Sequence, residues 1–137
     1  MGSNRLILDN KNCPQILKAN TIVIKVGSSI MIDTIKNTIK QDWLNSFLDK
    51  ITVLKKNNKK IIIVSSGSIA LGKSVLKLTS KKLKLDESQA SAAIGQIKLA
   101  QSYDLILKKY NINTAQVLLT SDDSQNRRRY LNIRSTL

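Results

Sequence analysis

Two short apolar runs constrain this chain more than any other feature: TIVIKVGSS at residues 21–29 and KKIIIVSSG at residues 59–67. Each is rich in β-branched residues and stops at a glycine beside serines. The first reads as a buried strand closed by a tight loop. The second holds four consecutive β-branched residues, Ile61 to Val64, and is too apolar for a solvent-facing edge. Between them, residues 38–56 place Ile39, Trp43, Leu44, Phe47, Leu48, Ile51 and Leu54 at helical spacing, with Asn57 and Asn58 as the stop. Two strands joined through a helix must run parallel, because a tight hairpin cannot contain one.

The same alternation continues. After Gly67 the period changes from two to 3.6, so a helix starts at once, with Ser66 or Gly67 near its N-cap. Residues 86–109 form the longest helical stretch, opening on Asp86 and Glu87 and closing on Lys108 and Lys109, each sign of charge suiting its end of the helix dipole. Gly95 inside it implies close packing or a break. TAQVLLTS, residues 114–121, reads as a third strand, and a last helix begins at Asp122 or Asp123. The fold class is therefore α/β, a parallel sheet of about three main strands with flanking helices. In such sheets ligands gather at the carboxyl ends of the strands, where the loops KVGSS and SSGS fall.

Composition narrows the function. The 137 residues suit one domain, and no apolar run approaches the ~20 residues that cross a bilayer. The first 20 residues lack the hydrophobic core of a secretory signal, and Leu6 stands where a myristoylation signal needs Ser or Thr. A single cysteine, Cys13, rules out an internal disulfide. The absence of histidine removes the commonest metal ligand and general base. A reducing, cytoplasmic setting without a membrane is expected. The formal net charge of +14 raises a nucleic-acid reading. Against it, the lysines are scattered, in turns such as Lys55, Lys56, Lys59 and Lys60 or Lys81, Lys82 and Lys84, and the three tyrosines form no stacking platform. A coding bias toward Ile, Lys and Asn accounts for the charge equally well, and nucleic acid is not the expected partner.

Residues 67–74, GSIALGKS, match the phosphate-loop pattern G-x-x-x-x-G-K-[ST]. The residues between the two glycines are helix-compatible and share the periodicity of the residues after Ser74, so Lys73 falls inside the helix and cannot reach back to its N-terminus. Gly72 and Lys73 read instead as a packing glycine and a solvated lysine.

TIVIKVGSS, IIIVSSGSIALGK, ASAAIGQIKLAQSYDLILKKYNINTAQVLLTSDD and NRRRYLNIRSTL together resemble the N-terminal half of a kinase domain of the amino acid kinase family, from about residue 21 to the end. The K-x-G-S and S-S-G loops are common to that family. The A-A-x-G-Q helix, the Q-V-L-L-T strand and the R-R-x-Y-L-N-x-R-x-T-L tail are similar to its members that phosphorylate the side-chain carboxylate of L-glutamate, in proline biosynthesis. Ser68 departs from the alanine common there.

The resemblance implies ATP, with Mg2+ carried mainly by its phosphates and no protein metal ligand. Lys25 is the implied catalytic residue. Lys25, Gly27, Ser28 and Gly67 would bind the ATP phosphates, and Ser66 and Gly67 the glutamate. Residues 1–20 would be an N-terminal extension and residues 21–137 the substrate-side half of the domain. The family's later glutamate-binding loop and nucleotide lobe lie outside this sequence. Three expectations stand side by side: half of a split kinase completed by a separate polypeptide, a remnant with weak or no activity, or an assembly module. The family also implies a homo-oligomer, for which the helix around Gly95 and the cluster Arg127, Arg128 and Arg129 are candidate surfaces.

Overall fold

The computed structural model describes residues 16, 18–33, 35–80 and 82–137, so most of the expected N-terminal extension, with Cys13, lies outside the described residues, as does Lys81. In chain order the elements are β1 (Thr21–Val26), a one-turn helix α1 (Ser28–Met31), a short hairpin of β2 (Ile32–Asp33) and β3 (Thr38–Ile39), α2 (Gln41–Lys56), β4 (Lys60–Ser65), α3 (Ser68–Val75), α4 (Leu85–Lys108), α5 (Ser121–Gln125) and α6 (Arg127–Thr136). β1 and β4 pair in parallel, with Ile22 opposite Ile61, Ile24 opposite Ile63 and Val26 opposite Ser65. The fold is α/β with a parallel sheet, as the alternation of periods requires.

Two expectations are corrected. Residues 114–120 form no strand: they run exposed and without a ladder partner among the described residues. Their apolar content is strand-like, but a strand exists only where a neighbouring edge accepts its hydrogen bonds. The helix expected over residues 38–56 begins at Gln41, because Thr38 and Ile39 pair with Ile32 and Asp33. The turn of that hairpin is set by Asp33, whose carboxylate accepts the N–H groups of Ile35 at 2.9 Å and Lys36 at 3.0 Å, and by Asn37 at φ 49°.

One face of the β1–β4 ribbon carries Ile24, Ile61 and Ile63 and is covered by helices. Leu44, Leu48 and Ile51 of α2 and Ile106 and Leu107 of α4 build one buried cluster on it. Val26, Met31, Ile32, Leu71 and Leu99 build a second at the carboxyl end of the strands. Trp43, Phe47 and Tyr103 touch both clusters, and the Trp43 and Phe47 rings stack at 5.1 Å. The opposite face, with Val23 and Lys25 opposite Ile62 and Val64, is uncovered among the described residues: Val23 is 61% exposed and Val64 49%.

The helix stops follow from the sequence. Lys59 N–H returns to the Leu54 carbonyl and Asn58 N–H to that of Lys55, with Asn58 left-handed at φ 57°. The same closing pattern ends α3 at Lys77 and α4 at Asn111.

α3 and α4 cross backbone to backbone. A Cβ on Gly72 would lie 1.8 Å from the Ser91 carbonyl oxygen, and one on Gly95 would lie 1.7 Å from that of Ser68. α4 therefore runs unbroken past Gly95, which serves close packing within the chain. Gly95 itself is turned to α3, while Ile97 and Leu105 of the same helix are exposed. Lys73 donates from Nζ to the Ser80 carbonyl, beyond the far end of α3. The phosphate-loop pattern is thus spread along a helix and shapes no phosphate cradle.

Candidate functional site

The carboxyl ends of β1 and β4 release two loops side by side. The ladder runs one residue past the strands, since Ser66 N–H donates to the Val26 carbonyl at 3.3 Å. Ser28 N–H then donates to Ser66 Oγ at 3.1 Å, joining loops that lie 38 residues apart in the chain. Gly67 follows at φ 111° and caps α3. A Cβ there would stand 3.0 Å from Ile32 Cγ1 and 3.3 Å from Ser28 Cβ, so both conformation and space demand glycine. Gly27 differs: its φ of −76° suits any residue, and a Cβ would meet only Ser29 Oγ at 4.0 Å. Nothing among the described residues requires a glycine there, and the space above its backbone is open.

Lys25 lies opposite Val64, exposed, on the uncovered face of the ribbon beside these loops. Among the described residues its ammonium has no hydrogen bond or ion pair. The structure thus brings Lys25, Gly27, Ser28, Ser66 and Gly67 to one end of the sheet. Sequence reasoning missed Lys40, whose Nζ donates to the Ser29 carbonyl at 3.3 Å and adds a second ammonium to that end. It sits at the start of α2 and carried no motif. The polar groups gathered there are ammonium, amide N–H and hydroxyl, a donor set that fits a polyphosphate. The Asp33 carboxyl is engaged in its own turn, where the N–H groups of Lys36 and Ile35 hold it below the usual carboxylate range. Among the described residues no three potential ligands group to hold a metal ion.

A second layer lies underneath. Tyr103 Oη from α4 is 3.2 Å from Ser65 Oγ and 3.4 Å from Met31 Sδ, and Ser65 Oγ is 3.9 Å from the same sulfur. Burial pushes the Tyr103 phenol up, with the Ser65 contact acting in the opposite sense.

Residues 20–137 match the family model described as the amino acid kinase family. The chain belongs to the amino acid kinase family. Among the relatives of known name, the glutamate 5-kinase of Ruegeria sp. (strain TM1040) is 51% identical over 119 residues, which cover 87% of this chain and 32% of that protein. The glutamate 5-kinase of Agrobacterium fabrum is 50% identical over 116 residues, covering 85% and 30%. That of Bradyrhizobium diazoefficiens is 45% identical over 124 residues, covering 90% and 33%. The chain thus spans about a third of the length of the relatives it matches. Both loops of the site lie inside the family match. No helix among the described residues is long and apolar enough to cross a membrane.

Proposed function

We propose that this chain carries the phosphate-facing and glutamate-facing loops of an ATP-dependent glutamate 5-kinase. The observation that carries the reading is the Ser28 N–H to Ser66 Oγ bond of 3.1 Å, which seats the two loops against each other at the end of the sheet that also holds Lys25. The glutamate 5-kinase relatives supply the substrate class; the loops supply a chemistry that suits it. The side-chain carboxylate of L-glutamate is ionised at neutral pH and attacks the γ-phosphorus directly. The bond from γ-phosphorus to the bridging oxygen breaks, and ADP leaves with that electron pair. No general base is needed, so a chain without histidine meets no obstacle.

Such a transfer needs alignment and neutralisation of charge. Lys25 neutralises the phosphoryl oxygens. The backbone N–H groups of Gly27 and Gly67 receive phosphate, with Ser28 beside them holding Ser66 through its own N–H, and the open space over Gly27 lets the polyphosphate approach the main chain. Ser66 and Gly67 receive the glutamate. Magnesium arrives on the nucleotide's phosphates, since the loops offer donors and no free carboxylate. The remaining contacts to glutamate and nucleotide come from the length of kinase not spanned here, and the 137 residues alone turn over little or no ATP. The whole enzyme works in the cytoplasm, as a homo-oligomer.

The test traps acyl phosphate as hydroxamate, using the 137-residue chain and a chimera in which residues 20–137 replace the matching segment of the Ruegeria relative. The expected result is glutamate- and ATP-dependent hydroxamate from the chimera and none from the chain alone. Lys25→Met in the chimera should lower kcat by about 10²-fold or more. A folded chimera without turnover sinks the reading, and robust turnover by the chain alone sinks its incompleteness.

A further inference from the structure

Neither loop of the site is held only by its neighbours in the chain. Ser66 follows Ser65, and Ser28 opens the helical turn that ends at Met31. Both of those flanking residues meet the same atom, the Tyr103 hydroxyl, at 3.2 Å from Ser65 Oγ and 3.4 Å from Met31 Sδ. We infer that Tyr103 is a positioning residue: its hydroxyl fixes the separation of the two loops, and so the distance between the groups that receive phosphate and those that receive glutamate.

The physical case rests on where that hydroxyl is anchored. Met31 is fully buried, so the turn after Ser28 cannot shift without moving a packed core side chain. Tyr103 stands eight residues after Gly95, about 12 Å along α4, and Gly95 is locked against the backbone of α3. α3 in turn begins at Gly67, within the site. One helix therefore meets both ends of the β4 loop, Ser65 through Tyr103 and Ser68 of α3 through the glycine crossing, and the end of the turn after β1 at Met31. A buried phenol ordinarily finds some partner. Here its partners are one residue flanking each loop, and its helix passes beneath the ends of both strands. Small errors of alignment are costly in phosphoryl transfer, so a fixed spacing has a direct kinetic use.

This inference rests on the glutamate 5-kinase reading for its purpose but not for its test. Amide hydrogen exchange followed by NMR on the 137-residue chain compares wild type with Tyr103→Phe, Ser65→Ala and the double variant. Each single change removes one side of the contact and keeps the ring or the backbone. The Ser28 amide, bonded to Ser66 Oγ, should exchange about five- to tenfold faster in either variant and no faster still in the double, the loss of one hydrogen bond. The Ile24 and Ile63 amides should be unchanged. Equal exchange of Ser28 in all four proteins overturns the inference. A uniform acceleration that includes Ile24 and Ile63 also overturns it, marking Tyr103 as ordinary core. If Tyr103→Phe does not fold, Ser65→Ala decides alone.

Titration of the chimera and of its Tyr103→Phe variant with magnesium-ATP separates this inference from the reading beneath it. A chimera that binds and a Tyr103→Phe variant that binds about fivefold or more weakly support it, and equal affinity overturns it. A folded chimera that fails to bind counts against the kinase reading, while the exchange result on the 137-residue chain still decides the role of Tyr103.

Discussion

Glycine occurs at this site and beneath it for separate physical reasons, and substitutions tell them apart. At Gly95 a methyl group would meet backbone of α3 at 1.7 Å, and neither helix can yield without breaking the crossing. Gly95→Ala is expected to cost about 3 kcal/mol or more, read as a large fall in the thermal midpoint or loss of folded protein. Beside the same crossing, Ser91 is fully buried, and its hydroxyl has no partner among the described residues. A buried hydroxyl left unpaired costs stability, and alanine is the better helix former. Ser91→Ala should therefore be neutral or stabilising by up to about 1 kcal/mol in denaturant unfolding. A clear loss of stability would mean that the hydroxyl is bonded in solution. The GSIALGKS pattern shows why letters mislead at this scale. Its second glycine is read by a neighbouring helix, and its lysine by a carbonyl past the helix end.

At the scale of elements, the helices α2, α3 and α4 were legible to within a few residues because each carries its own period. The one-turn α1 was not read, and the single helix expected from Asp122 or Asp123 is two, broken at Asn126, whose side chain accepts the N–H groups of Arg128 and Arg129. Asn58 and Asn111 accept the left-handed conformation that closes α2 and α4. The third strand was not legible in the same way, since TAQVLLTS has no partner edge among the described residues and partnership is not written in its letters. The tyrosines that tie α4 and the turn after it to the rest were missed for a related reason: a single polar group on an apolar face gives no period. Tyr110 donates to Asp49 Oδ1 at 2.6 Å, and that bond to a carboxylate, more than burial, pushes its phenol up. Tyr103 is pushed up by burial. Both folded values stand above the unfolded one, so the stability these phenols confer is intact below about pH 10 and is lost as pH rises from there through the folded values. Thermal midpoints against pH should fall more steeply above about pH 10 in wild type than in the Tyr103→Phe, Tyr110→Phe double variant. Parallel curves would contradict the shifts.

At the scale of the whole molecule, the described residues cover the sheet on one face only. Val23 and Val64 lie exposed there, and Leu118 and Leu119 of the unpaired segment are 71% and 59% exposed. Parallel sheets are ordinarily buried on both faces, and apolar patches of this kind drive association. Val23→Thr with Val64→Thr should raise the concentration at which the 137-residue chain stays monomeric, measured by light scattering, with a change in thermal midpoint of less than about 3 °C. A large fall in the midpoint instead would show that the face is already packed in solution.

Sequence by itself determined the class of fold, the position of the loops and the loop residues that meet at the end of the sheet, though not Lys40. Periodicity, glycines and short motifs are local properties, and parallel pairing follows once a helix must fit between two strands. Tertiary structure alone decided that Gly72 and Gly95 join two helices backbone to backbone, that Tyr103 stands under both loops, and that the described residues leave one face of the sheet open. Those are relations between surfaces far apart in the chain, set by which apolar faces find a partner when it closes.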